Sequence, residues 1–270
     1  MLSRVYIPGP PLSDFVEMLW LCHGLHPAHE RERIMPTGSM GLLINLNEGN
    51  LSVYDRKGER QNLSACAMTG VQSEFIVIDT AQQASIMGAS FRPGGAGPFL
   101  GMPACELHGE HVSLDTLWGA AAAEVRDRVL EADTPEAKLR VLEAVLIERA
   151  ARRLERHKAV AFAVGQFQRA SGPTVGQVSE QVGLSQRRFI QIFREEVGLT
   201  PKLYHRVQRF QQVLQRIHKG HRAAWTDVAL DCGYFDQAHF VHDFRAFSGL
   251  NPTAYLMHRT PYQNHVPILD

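Results

Sequence analysis

The feature that most limits what this chain can fold into is a repeat in its second half. Val175, Val178, Ser179, Val182 and Gly183 recur fifty residues later as Trp225, Val228, Ala229, Cys232 and Gly233. Beyond the glycine the offset is 51. Phe189 then answers to Phe240, Phe193 to Phe244, Arg194 to Arg245, Gly198 to Gly249, Pro201 to Pro252 and Tyr204 to Tyr255. The second copy gains its extra residue in the turn formed by Tyr234, Phe235 and Asp236. A repeated pattern of this length means a repeated supersecondary unit. In each copy a short helix carries a small residue (Ser179, Ala229) where the next helix crosses it. A glycine (Gly183, Gly233) supplies the left-handed turn residue. A cap residue (Ser185, Asp236) then starts a longer helix anchored by two phenylalanines four residues apart. That is the helix-turn-helix plan, in which the second helix is offered to a DNA major groove. Between the copies, Leu203, Val207, Phe210, Leu214 and Ile217 keep a three-four spacing and predict one long helix. Residues 171–174 break the preceding helix and cap the first unit.

The charge balance agrees once it is split. The whole chain has 28 Lys+Arg against 28 Asp+Glu, a net charge of zero. Residues 151–270 alone hold 16 Lys+Arg and 9 Asp+Glu, net +7, with eight of the 13 histidines; residues 1–150 hold 12 and 19, net −7. An acidic part joined to a basic one fits an anionic partner for the basic part.

The acidic part reads differently. Short apolar runs at 41–46, 51–54, 64–68, 74–78 and 84–91 are bounded by turn residues such as Asn47, Gly49, Asn50, Gly58, Pro93 and Gly94. Many short strands between regular turns predict an antiparallel sandwich or barrel. From Leu114 two helices follow, the second opened by Thr134 and Pro135 as cap and first-turn proline. Its stripe of Leu139, Leu142, Val145 and Leu146 either packs on the β-domain or forms a link or a dimer seam. The expected fold is therefore two-domain α+β. It comprises a mainly antiparallel β barrel or sandwich with trailing helices at 1–120, a helical linker at 121–157, and an all-α double helix-turn-helix at 158–260.

Residues of about 158–258 resemble the DNA-binding domain of AraC/XylS-type bacterial transcription regulators, which carries two helix-turn-helix units joined by a long helix. The resemblance rests on residues 228–240 (Val-Ala-Leu-Asp-Cys-Gly-Tyr-Phe-Asp-Gln-Ala-His-Phe), followed by Phe244, Arg245, Gly249, Leu250, Asn251, Pro252 and Tyr255. Phe235 stands where that family favours small or polar residues, Val213 where it often has alanine, and Trp225 where it has an aliphatic residue. Residues 33–38, 42–46 and 91–96 are similar to an uncharacterised, cupin-like, sensor-type domain that precedes some AraC-type domains. The resemblance implies a cytoplasmic transcription regulator and not an enzyme. It implies double-stranded DNA and RNA polymerase as partners, and an N-terminal domain that binds a small effector or mediates self-association as a homodimer.

On the first recognition helix Phe189, Ile192 and Phe193 mark the buried face, which leaves Gln186, Arg187, Ile190, Gln191 and Arg194 as candidate DNA contacts. Arg187 can bond guanine O6 and N7 together, Gln191 can address adenine or a phosphate, and Ile190 a thymine methyl. On the second, Phe240, Phe244 and Phe247 are inside, and Gln237, Ala238, His239, His242 and Arg245 are the candidates. His239 is equally readable as a structural or phosphate-contacting residue. Asp236 and Asp243 are expected to lie near anionic DNA; Asp236 is partly neutralised as a cap, whereas Asp243 is expected to stay unneutralised and keep its side of the helix away from phosphate. Arg206, Arg209, Arg216, Lys219 and Arg222 are expected to give solvated charge and long-range attraction.

Other chemistries have little support. Cys22, His23, His26 and His29 have no zinc-ligand spacing, and no metal is expected there. Cys22, Cys66 and Cys105 lie in or beside apolar runs, where cysteine is a plain core residue. No nucleophile elbow, phosphate loop, HExxH or DxDxDG motif is present, so no cofactor is expected, and the glycines at 94–97 read as a turn before a helix. No run of about 18 apolar residues predicts a membrane span. The rival reading from another class is an enzyme carrying an AraC-type DNA-binding module. It would need a zinc-held reactive cysteine or converging His and Glu residues in the β-domain.

Overall fold

The computed structural model describes residues 2–150, 154–169, 172–220 and 224–269. Its strands are β1 (Leu2–Tyr6), β2 (Val16–His23), β3 (Arg31–Ile34), β4 (Gly41–Asn45), β5 (Ser52–Tyr54), β6 (Arg60–Asn62), β7 (Cys66–Thr69), β8 (Ile76–Asp79), β9 (Ser85–Phe91), β10 (His111–Ser113) and β11 (His265–Ile268). Its helices are α1 (Gly97–Leu100), α2 (Leu114–Trp118), α3 (Ala121–Glu131), α4 (Pro135–Arg149), α5 (Lys158–Phe167), α6 (Val175–Gln181), α7 (Gln186–Val197), α8 (Pro201–His218), α9 (Trp225–Asp231), α10 (Gln237–Ser248) and α11 (Pro252–His258).

The strands form two antiparallel sheets, ordered β1-β2-β9-β4-β7-β10 and β11-β3-β8-β5-β6. They do not close on one another, so the sandwich reading holds and the closed-barrel one does not. Strand alternation explains the layering. On the six-stranded sheet one face carries Leu19, Leu21, Leu42, Ile44, Met68, Met87 and Ala89, in one core with Leu139, Leu142, Val145 and Leu146 of α4. The linker stripe thus packs on the β-domain, and the seam reading falls away. The other face carries Trp20, Cys22, Leu43, Ala67 and Ile86, which join Val53, Ile76 and Ile78 of the second sheet in a smaller cluster. The caps are as read. The Thr134 hydroxyl accepts from the Ala137 N–H at 3.1 Å, and Gly94 turns the chain at φ 77° ahead of α1.

One strand lies beyond the β-domain expected at 1–120. β11 follows the helical domain in sequence, yet pairs with β3 in the register His265↔Ile34, Val266↔Arg33, Pro267↔Glu32 and Ile268↔Arg31. It is an edge strand, where the missing N–H of Pro267 costs no ladder bond. Val266 is fully buried. His265 Nδ1 lies 2.7 Å from Glu32 Oε1, and Glu32, itself buried, also meets His29 at 3.2 Å and the Gln83 amide. Burial pushes the Glu32 carboxyl up, but these hydrogen bonds and the His265 charge outweigh it and hold the group below its ordinary value. The helical domain is thereby tied into the sheet of the first domain.

Candidate nucleic-acid interface

The two repeated units form as the pattern predicts. In the first, Thr174 caps α6 and makes a reciprocal bond pair with Gln177; Ser171 lies outside the described residues. Gly183 turns at φ 68°, and the Ser185 hydroxyl accepts from the Arg188 N–H at 3.3 Å to start α7. In the second, Gly233 turns at φ 76° and the Asp236 carboxylate accepts from the His239 N–H at 2.7 Å to start α10. These side-chain acceptors satisfy N–H groups that a helix start leaves bare. Each unit closes on an aromatic core. Phe193 meets Phe167, Phe189 and Tyr204 at ring separations of 6.0, 5.8 and 5.6 Å. Phe244 meets Phe210, Phe240 and Tyr255 at 5.2, 5.7 and 5.6 Å.

The helix α8 joins the units through the stripe read from sequence. Val207, Phe210 and Leu214 are fully buried. Its polar side overturns one expectation. Asp243 of α10 does not face solvent or DNA; it is 1% exposed and points back at α8. Arg206 donates to both its oxygens, Nη2 to Oδ1 at 2.7 Å and Nε to Oδ2 at 3.3 Å, and Arg209 Nη2 stands 3.8 Å from Oδ2. Arg206 and Arg209 are therefore paired inside the domain and not free surface charge. A bidentate arginine–carboxylate bond fixes orientation as well as distance, so it sets how α10 is rolled on α8. Arg216 bonds Asp231 at 2.7 Å. Lys219 is exposed, and Arg222 lies outside the described residues.

With the roll fixed, the outward faces follow. Gln186, Arg187, Gln191 and Arg194 are exposed on α7 and Ile190 is half-buried. The Gln191 side chain bonds along its own helix, accepting from Arg188 at 3.2 Å and donating to Glu195 at 2.9 Å. Gln237, Ala238, His242 and Arg245 are exposed on α10. His239 is half-buried, its ring edge-on to Tyr234 at 5.3 Å and its Nε2 3.7 Å from Asp243. That placement favours its structural reading. Thr226 at the start of α9 donates to the Gln237 side chain at 3.0 Å.

The first domain grips this assembly from behind. Gln208 and Gln211 of α8 donate to the carbonyls of Thr37 and Pro36 at 3.0 and 2.7 Å, and Gln211 also reaches Asn264 at 2.9 Å. The far end of α7 docks on a short 3-10 turn, Ala104–Leu107. There Gly198, at φ 92°, would place a Cβ only 2.5 Å from Val71. Burial and the Arg194 charge both hold His108 below the ordinary histidine range. Arg156 donates to the carbonyls of Asp14 and Pro93 and lies 3.9 Å from Glu196 of α7. Burial pushes the Glu196 carboxyl up to about 7, against the pull of a His157 N–H and of Arg156. Sequence reasoning missed this seam, because nothing in Gln208, Gln211 or Arg156 marks a partner more than a hundred residues away.

The early cysteine and histidines do not converge. Cys22 Sγ lies 4.0 Å from Ser3 Oγ, His23 Nδ1 2.9 Å from Ser85 Oγ, and His29 meets Glu32. Among the described residues no helix is long and apolar enough to cross a membrane.

Residues 178–258 match a family model described as a helix-turn-helix domain, and residues 4–113 match one described as a domain of unknown function (DUF6597). A probable transcriptional regulator, LumQ of Photobacterium leiognathi, is 30% identical over 82 residues, which is 30% of this chain and 33% of that protein; the match thus spans a third of the curated relative. A DNA-binding transcriptional dual regulator from Escherichia coli K-12 shares 24% identity over 37% of this chain and 93% of its own, with a TM-score of 0.32. The apo form of ToxT from Vibrio cholerae shares 10% identity over 90% of this chain and 98% of its own, with a TM-score of 0.47.

Proposed function

We propose that this chain, in which a DUF6597 domain precedes an AraC-type helix-turn-helix domain, is a sequence-specific DNA-binding regulator of transcription. The observation that carries the reading is the pairing of two complete units on one helix, α8, each with an exposed polar face on its second helix. In this reading α7 and α10 enter successive major-groove segments on one face of the duplex, about 34 Å apart. The contacts are Gln186, Arg187, Ile190, Gln191 and Arg194 from the first helix, and Gln237, Ala238, His242 and Arg245 from the second, with His239 supporting the start of α10 from beside Tyr234 and Asp243. The first domain binds a small effector or mediates self-association, and RNA polymerase is the downstream partner.

The test is selection of duplexes from a random pool by the full chain. The expected result is an enriched site with two half-elements about one helical turn apart. Enrichment of no motif would sink the proposal. Affinity for the enriched site should fall by roughly one log unit per log unit of salt for each phosphate contact. An affinity indifferent to salt would exclude a phosphate-anchored complex.

The two helices should contribute unequally to sequence choice. Arg187 offers two donors to one base edge, and its replacement by alanine should relax preference at one or two base pairs, at a cost of about 1–3 kcal/mol. His242→Ala should cost less, or weaken all sequences alike, because His242 spends part of its reach beside Asp243, with Nδ1 3.7 Å away. Titration of a single-base operator panel against both variants checks this. Loss of a base preference in His242→Ala, with uniform weakening in Arg187→Ala, would reverse the order.

A further inference from the structure

The two units differ by one inserted residue, and the structure shows where it goes. In the first unit a single residue, Leu184, separates Gly183 from the cap Ser185, and it is half-buried against the core. In the second, two residues separate Gly233 from the cap Asp236. Tyr234 takes the inward place; it is 3% exposed, with its ring 5.5 Å from Phe240 and Arg209 4.8 Å above it. The extra residue, Phe235, is left outside at 86% exposure, the most exposed of the chain's described large apolar side chains. The turn itself needs no aromatic ring there: Tyr234 N–H already bonds the Ala229 carbonyl at 2.9 Å, and Asp236 supplies the cap.

The position of Phe235 points to what covers it. It sits where the chain enters α10, directly ahead of the exposed pair Gln237 and Ala238. The start of α9 lies alongside, joined by the bond from Thr226 to Gln237. In helix-turn-helix docking the first helix crosses the sugar–phosphate backbone while the start of the second reaches base edges. A side chain between those two points stands at the rim of the groove, against the backbone wall. The polar part of that wall is phosphate, for which Phe235 offers nothing. Its apolar part is the C–H face of the deoxyribose.

We propose that Phe235 packs on a deoxyribose at the rim of the groove addressed by α10 and strengthens DNA binding without reading sequence. The proposal rests on the DNA-binding reading above. It assigns the second unit an apolar contact that the first, with Leu184 turned inward, lacks.

The test uses the full chain and a duplex enriched by the unsubstituted protein. Burying most of an exposed aromatic ring against sugar should be worth about tenfold in affinity. Phe235→Ala should therefore bind that duplex about tenfold more weakly, and every single-base variant of it more weakly by the same factor. The salt dependence should not change, since no charge contact is lost. Phe235→Leu should recover most of the loss, and thermal melts of both variants should match the parent. Unchanged affinity in Phe235→Ala would overturn the proposal. So would a loss confined to one base pair, which would make the ring a base contact. If the unsubstituted chain enriches no duplex, the DNA-binding reading fails and this proposal with it, a result distinct from a failing Phe235 variant.

Discussion

Phe244→Ala should destabilise the second unit by about 3–5 kcal/mol, the usual cost of removing a buried aromatic ring. Phe244 is fully buried and its ring meets Phe210 of the joining helix, Phe240 of its own helix and Tyr255 of α11. One truncation therefore opens a void against three elements at once. Phe193→Ala should act likewise on the first unit, where Phe167, Phe189 and Tyr204 surround the ring. Arg187→Ala should move stability by less than about 0.5 kcal/mol, since it is an exposed side chain away from any core. Urea melts of the three variants decide the matter. A large loss in Arg187→Ala would mean that its side chain supports the fold.

Asp243→Ala should cost about 3 kcal/mol and loosen the attachment of α10 to α8. Removing one partner of a buried ion pair leaves the other charge uncompensated, at about 3–5 kcal/mol. Arg206 keeps roughly a third of its side chain in water, which favours the lower end. The first unit suggests how the loss can be made good. At an offset of 51, Asp243 corresponds to Ile192, a buried aliphatic residue. Asp243→Leu combined with Arg206→Met should therefore recover most of the stability lost in Asp243→Ala. Failure of the double variant to recover, or a single variant as stable as the parent, would show that the pair is not what holds the helix. If both variants fold, a change in DNA preference at the second half-site would register the altered roll of α10.

The repeat made the helical domain legible. Caps, turn glycines and phenylalanine anchors are local devices, and each appears twice, so one copy could be read against the other. Asp243 was misread for a related reason. A carboxylate beside two histidines on a helix that carries DNA-facing residues looks solvent-exposed. Its burial depends on Arg206 and Arg209, which lie more than thirty residues away and fall on the facing side of α8 only after folding. The β-domain was half legible. Runs such as 41–46 and 84–91 are mostly apolar between turn residues and became β4 and β9, whereas β3 and β6 are short and polar, and only pairing makes them strands. The same holds for β11. Four residues that include a proline carry no strand signal of their own, and the edge of β3 supplies it.

That pairing also bears on how the protein is made. A chain leaves the ribosome from its first residue onward, and domains commonly fold in that order. Here the edge of the second sheet can be completed only after α5 to α11 have been synthesised, because β11 comes after all of them. Until then β3 offers a row of unpaired backbone groups, the kind of surface on which strands of other chains add. A nascent chain halted within the helical domain is therefore exposed at β3 to mispairing, and chains that lack residues 265–268 share that liability for life.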